Sequence, residues 1–401
     1  MEKKLKKRKV VFFSRYPLEF EVIPCQGFRK VIDELAPKYN LVYYTMGWSR
    51  GKNEKLREGI HVKELPIKID ISSSVDKWIK TILYYILLPF SILKIKNENP
   101  DVIICKENMP FVPLCLSILK KPILVEIGDW WPSMILGSTK FGKKIATFIE
   151  NFEIKLWNKG NYTALVHNYA EEKVILNKRL SNKKVEMVAL PMFGDEYFST
   201  PAKKERAELG FLEKDFVVAT HGVIHRSKGY DQVLFWWKNL VKEHLNWKLL
   251  FIGGTMGESW FRKMIEDLGL KDKVIITGWV SDQSKLNKYL NCANCLLVTR
   301  RNTQDNSGTT PSGLTHSLMT GKPTVVTGMP SIKEILQDRK NGYLFKPDNY
   351  NSFKDALEKV YSNPKQAKKV GLAGLKRVKE YFNPRKTAEQ YDSLFSLAKS
   401  I

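Results

Sequence analysis

The 401-residue sequence has few cysteines and no long uninterrupted apolar run, and each shortage excludes a class of protein. Five cysteines are too few for a disulfide framework, and this favours a protein of a reducing compartment. Cys292 and Cys295 have CxxC spacing without a second pair, so we interpret them as buried thiols. A transmembrane helix needs roughly 20 apolar residues, and Pro89 interrupts the longest apolar segment, residues 79–95.

Residues 78–95 leave two interpretations open. The segment suits a buried helix, but Trp78, the pair Tyr84 and Tyr85 and the lysines at its ends also suit a helix lying in a membrane interface. No secretory signal is expected, because the basic start of the chain is followed by only four apolar residues.

Acidic residues are outnumbered, with 42 Asp and Glu against 66 Lys and Arg, a formal net charge of +24. Residues 1–194 hold 33 of the basic and 20 of the acidic residues, so both halves of the chain are basic. This balance suits an anionic substrate, an anionic membrane surface or nucleic acid. No nucleic-acid-binding motif is present, so we expect no nucleic-acid partner.

Short apolar strands alternate with helical segments along the whole chain, which predicts an α/β fold of two domains. The chain changes character near residues 191–197. The predicted domains are residues 1–194 and 195–382, followed by a C-terminal helix in residues 383–401 that packs back toward the first domain. We predict one helix over residues 28–38, after a loop that ends at Gly27, and another over residues 372–382.

Residues 306–327 predict a small-residue loop, one amphipathic helix and a buried strand. Thr310 is the expected N-cap, Pro311 suits the first helical turn and Gly321 ends the helix. The free N–H groups of such a helix start bind anions, and in an α/β protein nucleotide phosphates are the expected anions. The alternative is an ordinary loop, helix and strand of the sheet.

Polar residues follow several predicted strands, at the edge where α/β proteins bind ligands. They include Lys106, Asp129 and His167 in the first half. No GxGxxG dinucleotide motif is present, and no Asp-x-Asp pair stands at a strand end, so neither a dinucleotide cofactor nor a metal is expected.

Five segments in order resemble the retaining glycosyltransferases of family four, which have the GT-B fold. These segments are residues 221–231, which end in Lys-Gly-x-Asp, 248–254, 277–280, 311–323 and 335–345. The resemblance implies two Rossmann-like, doubly wound domains facing each other across a cleft. The first domain then binds the acceptor and the second binds a nucleotide diphosphate sugar, without another cofactor.

The resemblance also implies roles for individual residues. Lys228, Arg226 and the backbone of residues 308–310 would bind the diphosphate, and Trp279 with Val280 the base. His316 would contact the ribose. The full predicted donor site comprises Gly27, Gly222, Arg226, Lys228, Trp279, Val280, Gly308, Thr309, Thr310, Ser312 and His316. The predicted catalytic residues are Asp129, His167 and Lys228.

The sequence departs from the family pattern at two places. The family carries Glu-x7-Glu across the central stretch, where this chain has Gly308 and His316. The family's arginine, five residues before the lysine, is Val223 here, and Arg226 or His221 is the expected substitute.

Other interpretations of these residues stay open. Lys228 also fits a surface lysine, His316 a helix histidine, Asp129 a helix cap and His167 a structural residue. For the whole chain we predict a peripheral, cytoplasmic enzyme on the inner face of the membrane, acting on a lipid-linked or surface-glycan acceptor. The alternatives are a nucleotide-sugar epimerase of GT-B fold, or a catalytically silent protein that binds sugar nucleotides or nucleic acid.

Overall fold

The computed structural model describes most of the chain, in ten ranges. They are residues 7–14, 23–45, 60–64, 74–106, 111–127, 140–160, 162–181, 184–189, 197–254 and 258–397. The chain divides into two compact units: unit 1 is Met1–Phe193 with Phe382–Ile401, and unit 2 is Gly194–Tyr381.

Unit 1 is built on seven parallel strands in the order β3-β2-β1-β4-β5-β6-β7. The strands are β1 (Lys9–Ser14), β2 (Asn40–Thr45), β3 (Ile60–Glu64), β4 (Val102–Cys105), β5 (Ile123–Glu126), β6 (Tyr162–Val166) and β7 (Val185–Met187). Its helices are α1 (Ile23–Leu35), α2 (Ser74–Glu98), α3 (Val112–Leu116), α4 (Lys140–Lys159), α5 (Tyr169–Asn177) and, from the C-terminus, α15 (Pro384–Leu397). A 3₁₀ turn, Ser117–Leu119, follows α3.

Both faces of this sheet are covered, so the middle of its central strands is apolar, as in Val10–Phe13 of β1 and Val102–Cys105 of β4. Val11 and Phe13 of β1 pack into a core with α2, α3 and α4. Val10 and Phe12 point to the other face, into a core with α1 and α15. The C-terminal helix therefore completes the core of unit 1.

Unit 2 repeats the arrangement with six parallel strands in the order β10-β9-β8-β11-β12-β13. The strands are β8 (Phe216–His221), β9 (Trp247–Ile252), β10 (Val274–Ile276), β11 (Cys295–Val298), β12 (Thr324–Thr327) and β13 (Tyr343–Phe345). The helices are α6 (Lys203–Glu208), α7 (Tyr230–Glu243), α8 (Glu258–Asp267), α9 (Gln283–Asn291), α10 (Gln304–Gly308), α11 (Ser312–Met319), α12 (Pro330–Ile335), α13 (Tyr350–Ser362) and α14 (Pro364–Tyr381).

The predicted α/β class is confirmed, because both sheets are parallel and doubly wound. Three details of the prediction are wrong. Helix α1 begins at Ile23, so Gly27 lies inside a helix and not at the end of a loop. Helix α14 begins at Pro364, eight residues before the predicted start. Helix α11 begins at Ser312 and its N-cap is Pro311, whose extended backbone (ψ 133°) places Thr310 outside the helix.

Candidate functional site

Both strand orders change direction at one place, between β1 and β4 in unit 1 and between β8 and β11 in unit 2. Ligands of doubly wound sheets bind beyond the strand ends at this switch point. In unit 2, β8 ends at His221 and β11 at Val298. The Thr299 hydroxyl donates to the Lys228 carbonyl at 2.6 Å and thereby ties the turn after β8 to the end of β11.

Two glycines allow the turns at this edge to approach closely. Gly222 has φ +103°, a left-handed conformation that favours glycine. A Cβ on Gly222 would lie 3.0 Å from the Lys228 Nζ, and one on Gly253 would collide with the Gly222 carbonyl. The ammonium of Lys228 therefore lies directly against bare backbone at the end of β8.

Lys228 is the central cation of the switch point. Burial, with the nearby positive charge of Arg300, lowers the pKa of the Lys228 ammonium to about 8. Most of the population is still protonated at pH 7. Arg300 follows β11 and did not belong to the predicted site, because nothing in the sequence indicates that it comes close to a residue 72 positions earlier. The two cations provide a region of positive potential suited to an anion.

Arg226 lies in a 3₁₀ turn, Arg226–Lys228, but its guanidinium has other contacts. It lies 4.4 Å from the centre of the Trp260 ring and 3.6 Å from Asp231 Oδ2. Arg301 contacts the same carboxylate oxygen at 2.6 Å. Asp231 thus holds two arginines beside the Lys228 turn.

His316 is buried and takes part in a stack of three rings. Its Nδ1 lies 2.7 Å from His221 Nε2, and the Tyr197 ring stacks on its other side at 4.1 Å between centres. Burial lowers the pKa of both imidazoles. The positive charge of Lys228 lowers the pKa of His221 further, to about 3, and His221 lowers the pKa of His316 further. Both rings are therefore neutral at pH 7, and His221 does not replace the missing arginine charge.

The remaining nitrogen of His316, Nε2, has no hydrogen-bond partner among the described residues. A buried imidazole edge without a partner is unusual in proteins. Gly313 leaves room beside this pair, since a Cβ there would meet His221 Cε1 at 3.4 Å.

Hydrogen bonds and a short helical turn hold the predicted diphosphate loop, residues 308–310, in place. Thr303 caps α10 by accepting from the Asn306 N–H at 3.3 Å, so Gly308 ends a helical turn. The Ser331 hydroxyl donates to the Thr309 carbonyl at 2.9 Å, and Thr310 leads into Pro311. Ser312 is the first residue of α11.

Trp279 and Val280 follow β10, two strands away from β8 at the edge of the sheet. Gly278, with φ +74°, turns the chain there, and Trp279 is 60% exposed. An exposed indole on this edge is free to stack on a planar ligand.

In unit 1, His167 belongs to a buried ionic network. Its Nδ1 lies 3.0 Å from the Val188 carbonyl and its Nε2 lies 3.5 Å from Glu126, which also pairs with Lys106. Burial lowers the pKa of His167, so the ring is neutral at pH 7. The Lys106 Nζ also lies 3.4 Å from the Phe28 ring centre. Glu126 was missed because it reads as part of an apolar strand. Asp129 lies outside the described residues.

One further group of side chains has a composition suited to a metal. Ligand atoms of Glu243, His244 and Glu358 lie within 4.8 Å of one another. Lys354 pairs with Glu243 and lies 3.8 Å from Glu358, so these carboxylates already have a cation.

Among the described helices, none combines the length and apolarity required to cross a bilayer.

Comparisons with known proteins agree with this geometry. Residues 201–377 match the family described as Glycosyl transferases group 1. The chain is 23% identical over 195 residues to a putative glycosyltransferase, EpsD, of Bacillus subtilis, a match that covers 48% of each chain. It is 28% identical over 129 residues to an alpha-1,3/1,6-mannosyltransferase, ALG2, of Dictyostelium discoideum, covering 32% of this chain and 29% of ALG2. The chain thus spans about half the length of the first relative and less of the second.

Solved structures match over nearly the full chain. Anabaena HepE in complex with UDP and glucose has a TM-score of 0.70 at 12% identity, covering 97% of this chain and 100% of HepE. Sucrose-phosphate synthase from Thermosynechococcus elongatus has a TM-score of 0.75 at 14% identity, covering 98% and 100%. The resemblance to GT-B glycosyltransferases inferred from the sequence motifs is confirmed: residues 201–377 match the group 1 family model, and the solved structures share the fold of this chain.

Proposed function

We propose that this protein transfers a sugar from a nucleoside diphosphate sugar to a lipid-linked or surface-glycan acceptor, with retention of the anomeric configuration. The observation that carries the proposal is the Lys228 ammonium, held against Gly222 at the switch point of unit 2 with Arg300 nearby. A half-buried cation at this position, next to glycine backbone, suits a diphosphate.

The reaction breaks the bond between the sugar and the diphosphate, so negative charge grows on the leaving group. Fixed cations stabilise that charge more in the transition state than in the ground state. Lys228 and Arg300 would provide this stabilisation, with Arg226 and the backbone of residues 308–310 as further contacts. Arg300 is then the substitute for the arginine that the family carries at the position of Val223.

The nucleoside would bind along the same edge of the sheet. His316, whose Nε2 has no partner among the described residues, would exchange one hydrogen bond with a ribose hydroxyl in place of the family's glutamate. Trp279 and Val280 would contact the base. HepE, which shares the fold, was crystallised with UDP and with UDP-glucose, so uridine is the first base to test.

Retention without a covalent glycosyl-enzyme intermediate requires the acceptor to approach the face that the diphosphate leaves. In the mechanism implied by the family resemblance, the departing phosphate takes the acceptor proton and no protein base is needed. His167 is neutral and contacts the Val188 carbonyl and Glu126. In this role it would help to position the acceptor on unit 1, and Asp129 would bind the acceptor. We further propose that no metal is needed, because protein cations provide the charge.

We also propose a cytoplasmic location, peripheral on the inner face of the membrane. The basic charge of both halves and the scarcity of cysteine support this proposal.

Slow hydrolysis of the donor tests the proposal without a known acceptor. We expect the protein to release the α-anomer from UDP-glucose or another α-linked donor, as followed by the anomeric proton signal in NMR, with the rate unchanged by EDTA. Lys228→Met should lower the rate by about 100-fold, the loss typical for one transition-state charge contact, whereas the exposed Lys238→Met should not. Release of the β-anomer, or equal rates for both variants, would contradict the proposal.

The loss of both family glutamates favours one alternative, a protein that binds sugar nucleotides without transferring the sugar. Under this alternative the nucleotide still binds and Lys228→Met still weakens binding, but no donor is consumed.

A further inference from the structure

Helix α4 carries an apolar stripe that faces solvent. Phe141 and Phe148 are 75% and 71% exposed, and Ile145 and Phe152 are also exposed. Their spacing of four, three and four residues places them on one side of the helix. The opposite side carries buried residues, including Ile154 and Trp157, which pack into the core of unit 1. The helix is thus apolar on both sides, and only one of them packs into the core within the described part of the chain.

Helix α2 shows the same arrangement. Ile82, Ile86, Phe90 and Leu93 are all more than half exposed and recur at spacings of four, four and three residues. The opposite side supplies Tyr84, Leu88, Ile92 and Ile95 to the core. The core interpretation of this segment is confirmed for one side of the helix, which includes Tyr84, and the membrane interpretation stays a prediction.

The two exposed stripes belong to the same side of unit 1. Helices α2, α3 and α4 contribute to one core on one face of the sheet, and α3 contacts both of the others. Phe111, at the start of α3, has its ring 6.4 Å from that of Phe152, and its N–H donates to Glu153 at 2.6 Å. We call the exposed apolar residues of α2 and α4, together with Phe111, the apolar surface.

The exposed charges that the structure describes on α2 and α4, beside the apolar surface, are all lysines. Helix α4 has five exposed lysines, at 140, 143, 144, 155 and 159, while its two carboxylates, Glu150 and Glu153, are buried. Lys94 and Lys96 are exposed near the end of α2. Every charge that the described part of α4 shows to solvent is therefore positive.

We infer that the apolar surface docks onto an anionic lipid bilayer. Phe141 and Phe148 would enter the boundary between headgroups and acyl chains, and the lysines of α4 would contact lipid phosphates. Amphipathic helices with aromatic residues on one side and lysines beside them bind membranes in this way. The inference rests on the proposed function in one respect, since it supplies the surface that reaches a membrane-held acceptor.

Charge argues against a second copy of the chain as the occupant. A two-fold dimer brings the same patch of both copies together. Such a dimer would place the lysines of one α4 opposite the lysines of the other, and these like charges would repel. An anionic bilayer attracts the lysines instead.

Vesicle sedimentation tests the inference with the full chain and no nucleotide. The protein should bind vesicles of mixed phosphatidylglycerol and phosphatidylcholine, and bind phosphatidylcholine alone weakly. Phe141→Ser with Phe148→Ser should weaken binding at least about tenfold, because two buried rings are lost. Leu245→Ser, 75% exposed in unit 2, is the matched control and should bind like the wild type. Lys143→Gln with Lys144→Gln should weaken binding roughly tenfold or more, given about 1 kcal/mol per lysine.

Wild-type protein that ignores anionic vesicles, or a double phenylalanine variant that binds as well as the control, would overturn the inference. So would a wild type that sediments as a dimer and becomes a monomer in the phenylalanine variant. Melting curves confirm that each variant is folded, since the exposed rings contribute little to the core. Donor hydrolysis, measured in parallel, separates the two proposals: vesicle binding without hydrolysis contradicts only the proposed function, and hydrolysis without vesicle binding contradicts only the membrane surface.

Discussion

At the scale of single residues, the site depends on where a side chain is absent. The Lys228 ammonium lies close to the end of β8, where a Cβ on Gly222 would come within 3.0 Å of its Nζ, and the turn after β9 fits only because Gly253 has no Cβ. Burial and Arg300 lower the pKa of Lys228 to about 8, so a ligand that neutralises both cations would relieve an unfavourable arrangement. Binding an anion at this place should therefore stabilise the fold.

Gly222→Ala tests this residue-scale account. The left-handed backbone makes the substitution cost about 1–2 kcal/mol of unfolding free energy, and the new Cβ displaces the Lys228 ammonium. We expect both lower stability in urea denaturation and loss of the nucleotide-induced shift in melting temperature.

Gly210→Ala is the matched control, because Gly210 has φ +76° and nothing within 4 Å of the added Cβ. This variant should lose similar stability but keep the nucleotide-induced shift. If both variants respond equally to nucleotide, the contact between Gly222 and Lys228 has no role in binding.

The histidine pair shows why the site was only partly predictable. The sequence identified Lys228 and His316 from a motif, yet His316 pairs with His221, 95 residues earlier, and stacks on Tyr197. Arg300 was missed for the same reason. Which strand ends lie next to each other depends on the order of the strands in the sheet. Each sequence motif describes only one strand end, so the motifs do not show which of them come together.

At the scale of helices and strands, tertiary packing decided the boundaries that were predicted wrongly. The sequence predicted α14 only from Leu372, and glycines lower helix propensity. In the structure α14 contains Gly371 and Gly374, because no larger residue fits at either position. A Cβ on Gly371 would lie 2.5 Å from the Gly321 carbonyl oxygen, and a Cβ on Gly374 would lie 2.7 Å from the Asn341 carbonyl oxygen. The glycines let α14 pack against backbone, and this gain exceeds their cost in helix propensity.

The junction of α3 and α4 gives a prediction about pH. Glu153 is buried and accepts from the Phe111 N–H, and burial raises its pKa to about 7. The folded protein then holds a proton that the unfolded chain releases above about pH 4.5, so stability falls as pH rises from about 4.5 to 7 and levels off above that. Glu153→Gln, which keeps an acceptor for Phe111, should stabilise the protein at pH 8 by about 3 kcal/mol at most and change little at pH 4.5.

Urea denaturation of wild type and variant across this pH range measures the effect. Glu150→Gln is the control on the same helix: it removes the partner of Lys178 and should destabilise the protein at pH 8. A Glu153→Gln variant that gains no stability between pH 5 and 8 would show that the carboxylate is ionised without penalty.

At the scale of the whole molecule, both units use one strand order, and the chain returns through α15 to complete unit 1. Alternation of apolar strands and helices was sufficient to predict this class. The apolar stripe of α4 was not anticipated, since its phenylalanines have the spacing of an ordinary core helix. The structure shows that the stripe faces outward, because the opposite side of α4 is buried in the core of unit 1.

The central claim is that the switch point of unit 2 binds a nucleoside diphosphate through Lys228. The most direct measurement is a thermal-shift panel of UDP, GDP, ADP and CMP with their sugar conjugates, on wild type, Lys228→Met and the exposed control Lys238→Met. A ligand that binds the native state at 100 times its Kd stabilises the fold by about 2.7 kcal/mol. We predict that one diphosphate raises the melting temperature of the wild type and the control but not of Lys228→Met. No shift with any nucleotide at millimolar concentration, or an equal shift in all three proteins, would contradict the account.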